Sequence, residues 1–361
     1  MDSLQILYIT YVDFEKASSG SAVRPGKMYR AFLEEGHEVK LLTGSQDRKH
    51  REQRRAAVEE VSAWLDGNRP DLCYIESPVQ PILWAFDRKL IRKIHNKGIP
   101  IGYFYRDFYW MFPDLYPRRE NLSGRVKDSY LLLLQRITDR LLKKADIVYF
   151  PSATAAAYFS FRDMRPLPPA GEIKPVSEVR EENTCIYVGG ISIDYGGAEL
   201  LRAFQLLNGQ GKQYRLILCC REKERKDLPE ELVSAPWLEI HHTSGEGLEP
   251  LYARASLAAF PVQKNAYTDI SVNIKLFEYI SHGLPVASTD VNAVAELVEA
   301  YGVGRVSGDS PEEMADNIRH MLQDREQLRI WSENAETCIR EHGLWIHRVR
   351  TVVSDLRGKK K

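Results

Sequence analysis

The stretch DISVNIKLFEYISHGLPVAST, residues 269–289, reads as a polar loop, a short helix and a buried strand, in that order. Lys275 and Glu278 stand three apart, so on a helix they share a face. Both fall in the first turns, where free backbone N–H groups point outward and favour an anion. A phosphate could meet those amides and the Lys275 ammonium, while Glu278 could accept hydrogen bonds from sugar hydroxyls. That combination suits a nucleotide-sugar. The same residues also fit a plain amphipathic helix, with Leu276, Phe277 and Ile280 in the core and Lys275 and Glu278 as a surface pair. The stretch by itself does not choose between the two.

Working outward, the helix and strand belong to a repeating pattern. Before them come strands at TCIYVGG (184–190), YRLILCC (214–220), WLEIHHT (237–243) and SLAAFPV (256–262), with helices at GAELLRAFQLL and LEPLYARA between; after them comes a short strand at VGRVSG (303–308). Helical periodicity then fills 311–323 and 325–357. The first half repeats the design, with strands at 4–12, HEVKLLTG, 71–77, 99–107 and 145–152 and helices at KMYRAFLEEG, 50–66, QPILWAFDRKLIRKIHNKG and 126–145. Strands separated by 10–15-residue helices mean βαβ units and a parallel sheet. Between the halves, 162–183 is rich in proline and charge, without a sustained period, and reads as a linker. The predicted fold class is α/β, with two doubly wound, Rossmann-like domains. The expected layout is a first domain over 1–165, a linker over 166–183, a second domain over 184–325, and a terminal helical segment over 326–361. In such folds ligands bind at the carboxyl ends of the strands, so a cleft between the domains is the expected site.

The composition narrows the function. The chain of 361 residues is long enough for two domains, and Lys+Arg and Asp+Glu are both 50. That balance argues against a general nucleic-acid binder. The five cysteines include no C-x-x-C pair, so neither a zinc site nor a disulfide framework is expected, and a cytoplasmic setting fits. The opening run LQILYITYV lacks the basic segment of a signal peptide, and no apolar run nears the roughly 18 residues that span a bilayer.

Three segments resemble the GT-B glycosyltransferases, and in pattern their large family-4 group. They are FLEEGHEVKLLTG (32–44), YVGG (187–190) and KLFEYISHGLPVAST (275–289). The terminal LWIHRVRTVVSDL is similar to the segment that crosses back onto the first domain in that fold. The resemblance implies a nucleotide-diphosphate sugar, expected to be UDP-linked, in the second domain, with Gly189 and Gly190 on the donor side. It also implies a saccharide or lipid-linked saccharide acceptor in the first domain, as in cell-surface polysaccharide synthesis, and no metal or other cofactor. Glu278 matches the family carboxylate that binds the ribose hydroxyls. Two features depart from the family. Ile270 stands eight before Glu278, where a second glutamate is common; Asp269, one residue off, is a substitute to reach the sugar. GGISIDYGG lacks the usual Arg and Lys after YVGG, so Lys275 takes that role, with Arg221 as a second candidate. Bacterial glucuronosyltransferases of the GT-B class have a similar lysine three before the ribose-binding residue.

Other candidates come from residue chemistry. Ser271 and Asn273 can cap the helix and donate to phosphate. SSGSAVRPG (18–26) is a small-residue loop that lets a ligand approach the backbone, with Gly20, Ser21 and Arg24 toward the acceptor; the other reading is a tight turn with Arg24 solvated. Asp107, beside Arg106 at the end of a central strand, is the first-domain carboxylate placed to deprotonate an acceptor or steady an oxocarbenium; a plain ion pair is the alternative. Glu76 is a weaker acid/base candidate. Tyr105, Tyr109 and Trp110 could stack on an acceptor or fill the core. His241 and His242 point to opposite faces of a strand, and Cys219 and Cys220 read as core residues. Basic helices at 48–55 and 125–144, with YWMFPDLYP, suggest peripheral contact with an anionic membrane. Rival readings are a non-catalytic GT-B subunit that binds a partner transferase and a GT-B-type nucleotide-sugar epimerase.

Overall fold

The computed structural model describes residues 3–14, 20–117, 119–209, 211 and 213–359. The chain forms two compact units, Met1–Pro168 with Trp345–Lys361, and Pro169–Leu344.

The first unit is built on β1 (Gln5–Ile9), β2 (Glu38–Leu42), β3 (Leu72–Glu76), β4 (Ile101–Phe104), β5 (Ile147–Phe150) and β6 (Met164–Pro166). All neighbours pair in parallel, in the order β2-β1-β3-β4-β5-β6. The connections carry α1 (Gly20–Glu34), α2 (Arg51–Gly67), α3 (Ala85–Asn96), α4 (Leu122–Leu142) and the single turn α5 (Ala153–Ala156). β3, β4 and β5 are buried along their whole length, as befits parallel strands covered on both faces.

The second unit repeats the plan. Its strands are β7 (Thr184–Val188), β8 (Arg215–Cys219), β9 (Leu238–His241), β10 (Leu257–Phe260), β11 (Val286–Thr289) and β12 (Gly304–Ser307), ordered β12-β11-β10-β7-β8-β9 and again parallel. Around them lie α6 (Gly197–Asn208), α7 (Glu230–Val233), α8 (Glu249–Arg254), α9 (Ile274–Ser281), α10 (Asn292–Tyr301), α11 (Pro311–Gln323) and α12 (Arg325–Cys338). The last helix, α13 (Trp345–Arg357), packs in the first unit against α1, β3 and β4. Gly102 in β4 makes room for it, since a Cβ there would stand 2.9 Å from Leu356. Ion pairs Arg350–Glu35 (2.9 Å) and Arg165–Asp355 (2.5 Å) fasten its outer face.

Three boundaries differ from the sequence reading. The residues after Gly20 are helix rather than loop: α1 begins there and runs through Pro25. Ser18 and Ser19 lie outside the described residues. The linker is shorter than 166–183, because Met164–Pro166 joins the first sheet beside β5 and the units divide after Pro168. The helical segment 326–361 is two pieces. α12 packs on α9, α10 and α11 of the second unit, and only the chain from Trp345 belongs to the first. A π-turn at Ile339–Gly343 separates them. Among the described residues no helix is long and apolar enough to cross a membrane.

One buried ion pair organises the strand ends of the first unit. Arg54 lies on the inward face of α2 with Val58, Val61 and Leu65. Its Nη1 donates to the carbonyls of Thr10 (2.8 Å) and Thr43 (3.0 Å), just past β1 and β2, while Nε and Nη2 hold Asp87 Oδ1. Burial lifts the Asp87 carboxyl above the usual range even with Arg54 beside it. Removing one member of such a pair strands the other charge. Arg54→Met is expected to destabilise the protein by about 3–5 kcal/mol, read as a lower urea midpoint; an unchanged midpoint would show that the pair carries no structural role.

Candidate functional site

In the second sheet the strand order reverses between β7 and β10, and open parallel sheets bind ligands outside the carboxyl ends at such a point. Gly189 and Gly190 follow β7 there. The Gly189 amide donates to the Cys219 carbonyl (3.0 Å), and the Gly190 carbonyl accepts from Tyr187 Oη (2.6 Å). A Cβ on Gly189 would stand 2.5 Å from Tyr187 Oη, and one on Gly190 2.9 Å from the Tyr195 ring. Gly196 precedes α6 with φ +67°, and a Cβ there would fall 1.7 Å from the Pro261 carbonyl oxygen. Glycine is therefore required where the loop after β7 passes the end of β10.

α9 brings its N-terminus to the same edge. Asn273 caps it, its Oδ1 accepting from the Lys275 amide (3.0 Å). Ser271 Oγ donates to the Tyr267 carbonyl (2.8 Å), holding the loop ahead of the cap. Leu276, Phe277, Tyr279 and Ile280 are buried, which leaves Lys275 and Glu278 on the open side. Lys275 Nζ meets Glu278 Oε2 at 2.5 Å, and both side chains are partly exposed. The Tyr252 hydroxyl donates to the same oxygen (3.2 Å). Tyr279 ties the helix to the sheet, since the Val188 amide donates to its hydroxyl (2.9 Å). The ammonium of Lys275 is felt at the end of β8: burial pushes the Cys219 thiol up, and Lys275 pulls against it. Lys275, Glu278 and Tyr252 thus form one cluster on α9 and α8, and Tyr279 joins that helix to β7 just ahead of the two glycines.

Other sequence candidates lie elsewhere. Asp269 Oδ1 accepts from the Asn292 amide (3.0 Å) and sits 3.7 Å from Lys264 Nζ, so it caps α10 instead of joining Glu278. Ile270 is buried, a core residue where the family resemblance implies a glutamate. Arg221 is well exposed and reaches Glu224 at 3.4 Å. His241 pairs with Glu239 (2.6 Å), and His242 Nδ1 donates to the Cys220 carbonyl (3.0 Å). Cys219 and Cys220 are buried.

In the first unit the strand order reverses between β1 and β3. Glu76, the last residue of β3, is fully buried. Its Oε1 accepts from Arg24 Nε (3.0 Å) and Tyr74 Oη (2.8 Å). Arg24 is neither solvated nor open to a ligand: its guanidinium lies 3.6 Å from the Phe104 ring centre and donates to the Pro168 carbonyl (3.2 Å). Burial opposes its charge, but Glu76 and Tyr74 hold it above the ordinary arginine value. Gly20 and Ser21 open α1. Arg106 follows β4. Its amide donates to Ser77 Oγ (3.0 Å), and its Nε donates to Asp107 Oδ2 (3.0 Å), with both side chains mostly buried. Tyr105 is a core residue stacked on Phe150, whereas Tyr109 and Trp110 are exposed.

Residues 182–324 match the family model of group 1 glycosyl transferases. The matched residues fall entirely within the second unit. A search of the curated proteins finds no match. Among solved structures, the chain is similar to WaaG, a glycosyltransferase involved in lipopolysaccharide biosynthesis, at 17% identity and TM-score 0.63, covering 98% of this chain and 100% of that one. It is also similar to an alpha-glucosyltransferase in complex with UDP and a 13-mer DNA containing a HMU base (12%, TM-score 0.65, 98% and 100%). A third is HepE from Anabaena in complex with UDP (14%, TM-score 0.60, 98% and 100%). The fold is GT-B.

In the second unit, the pairing of Lys275 with Glu278 on one helix face and the Asn273 cap were legible in the sequence because these residues are neighbours in the chain. Tyr252 was not, since it sits in an unremarked helix, LEPLYARA, and its partner is visible only after folding. Asn273→Ala is expected to cost about 1 kcal/mol through the lost cap, measured by chemical denaturation. Equal stability of the two proteins would show that the Lys275 amide needs no cap.

Proposed function

We propose that this chain transfers a sugar from a nucleotide-diphosphate sugar, UDP-linked, to a hydroxyl of a saccharide or lipid-linked saccharide. The observation that carries the reading is the Lys275–Glu278 pair on the first turns of α9, a helix that Tyr279 ties to β7 just ahead of Gly189 and Gly190, within the residues that match the group 1 model. Lys275 and the amides at the helix start would neutralise the diphosphate as it leaves, so no metal is called for. Ser271 and Asn273 would shape that anion site, and Glu278 would accept from the ribose hydroxyls. Asp269, capping α10, and Arg221, paired with Glu224, are left out of it. In the first unit, Asp107 would take the acceptor proton, with Arg106 setting its orientation at 3.0 Å. UDP is favoured because the alpha-glucosyltransferase and HepE are in complex with it. A cell-surface saccharide acceptor is favoured by the likeness to WaaG.

UDP is expected to raise the melting temperature, by about 2.7 kcal/mol of stability at a hundredfold excess over Kd. Lys275→Ala should weaken UDP binding on the order of tenfold or more, as loss of a charge-assisted contact does. Asp107→Asn should abolish transfer while UDP still binds. If neither UDP nor GDP stabilises the protein, the donor site is elsewhere. If UDP binds and no transfer occurs until a second transferase is added, the chain is a partner subunit.

We also propose peripheral contact with an anionic membrane on the cytoplasmic side, which would suit a lipid-linked acceptor. Leu122, Val126, Tyr130 and Leu133 are all exposed and recur at helical spacing along one face of α4. Arg125, Arg136 and Arg140 are exposed on the same side, while Leu134, Thr138, Leu141 and Leu142 face the core. A hollow of about 460 Å³ lined by Arg119, Glu120, Arg125 and Ser129 opens near the start of the stripe. An apolar band flanked by cations is the pattern that rests on anionic headgroups. The protein should co-sediment with vesicles of phosphatidylglycerol and phosphatidylcholine and not with phosphatidylcholine alone. Val126→Asp with Tyr130→Asp should release it; binding that survives both changes would rule out this face.

A further inference from the structure

Glu278 is held by more than Lys275. Tyr252 Oη donates to Glu278 Oε2 at 3.2 Å from a buried ring. Burial first, and the Glu278 charge second, keep that phenol well above its ordinary pKa, so it remains a donor. The ring lies flat against the His282 imidazole, with centres 4.2 Å apart. His282 Nδ1 is 2.7 Å from the Glu278 carbonyl oxygen, and Nε2 is 2.9 Å from Glu249 Oε2. A carbonyl and an ionised carboxylate accept only, so both contacts are satisfied when both ring nitrogens carry hydrogen. Burial works against the Glu249 charge, yet Lys174 and His282 bring its carboxyl below the usual range. Lys174 Nζ closes the chain on Glu249 Oε1 at 2.8 Å. The imidazole is thereby fixed at both ends, and it fixes the plane of the Tyr252 ring.

We infer that Tyr252 is a positioning residue for the nucleoside: it holds the Glu278 carboxylate toward the ribose hydroxyls when Lys275 turns to the diphosphate. The inference rests on the donor reading given above. Lys275 and Tyr252 both engage Oε2, so Oε1 is the oxygen left for a ribose hydroxyl. A diphosphate competes for the ammonium, and a glutamate released from it has three side-chain torsions to settle. The Tyr252 hydroxyl removes that freedom before the sugar arrives, which is preorganisation.

The test is the discrimination between UDP and its 2′-deoxy and 3′-deoxy forms, measured as Kd ratios by calorimetry. Wild type should prefer UDP. Tyr252→Phe should reduce the preference on the order of tenfold, as loss of a hydrogen bond to a charged group does. The donor KM should rise with kcat little changed. In a Glu278→Gln background, Tyr252→Phe should add almost nothing, because both changes act on one contact. A melting temperature without nucleotide shows that each variant is folded. If Tyr252→Phe keeps the wild-type ratio, or if its effect is undiminished in the Glu278→Gln background, Tyr252 does not position the carboxylate, and the donor reading stands. If wild type binds no nucleoside diphosphate, the donor reading falls and this inference falls with it.

Discussion

In both units every strand runs the same way, so every strand delivers its carboxyl end to one edge of its sheet. The edge opens at the point where the strand order reverses, since the chains leaving two adjacent strands turn to opposite faces there. Side chains that follow β1, β3 and β4 in one unit, and β7, β8 and β10 in the other, meet at these edges whatever their separation in sequence. The chemistry of each unit depends on how the charges gathered there are neutralised.

The two edges solve that problem differently. In the first unit, Arg54–Asp87 and Arg24–Glu76 are taken almost wholly out of water. Pairs at that depth repay their desolvation only with both partners present and well bonded, so they behave as scaffold: one arginine collects the carbonyls after β1 and β2, the other the carbonyl of Pro168. In the second unit, Lys275–Glu278 is only partly buried. Pairs with that much access to solvent are worth little, so a ligand that competes for the lysine displaces little binding energy. Burial therefore separates the two fully buried pairs of the first unit from the solvent-accessible pair on α9.

The sequence revealed features whose cause is local. Alternating strands and helices appear in the hydrophobic period, and Lys275, Glu278 and Asn273 lie within six residues of one another. Features that depend on distant partners were hidden. Gly20–Gly26 carries the glycine, serine and proline of a loop, yet it is helix, with Arg24 paired to Glu76 from β3 and the Pro25 carbonyl accepting from Tyr8 of β1. Asp269 sits one residue from the family position, but the free amide of Asn292 claims it. The periodicity of 325–357 runs nearly unbroken, so the π-turn that hands the chain back to the first unit left no mark beyond Gly343.

Ile270 shows how the departures from the family fit together. Its side chain is buried in the short turn ahead of α9, and a carboxylate there would lose its hydration. The domain is thus left with one carboxylate, Glu278, on the open face of that helix. A single acidic group that must serve alone gains from being held still. The structure supplies a hydroxyl donor from α8, braced by an imidazole that is bonded at both nitrogens. The same economy applies to the anion side, where GGISIDYGG carries no basic residue and the ammonium beside Glu278 is the cation at hand. The lysine and the carboxylate neutralise each other in the free protein, and on the proposed donor reading a nucleoside diphosphate would separate them by offering each a better partner.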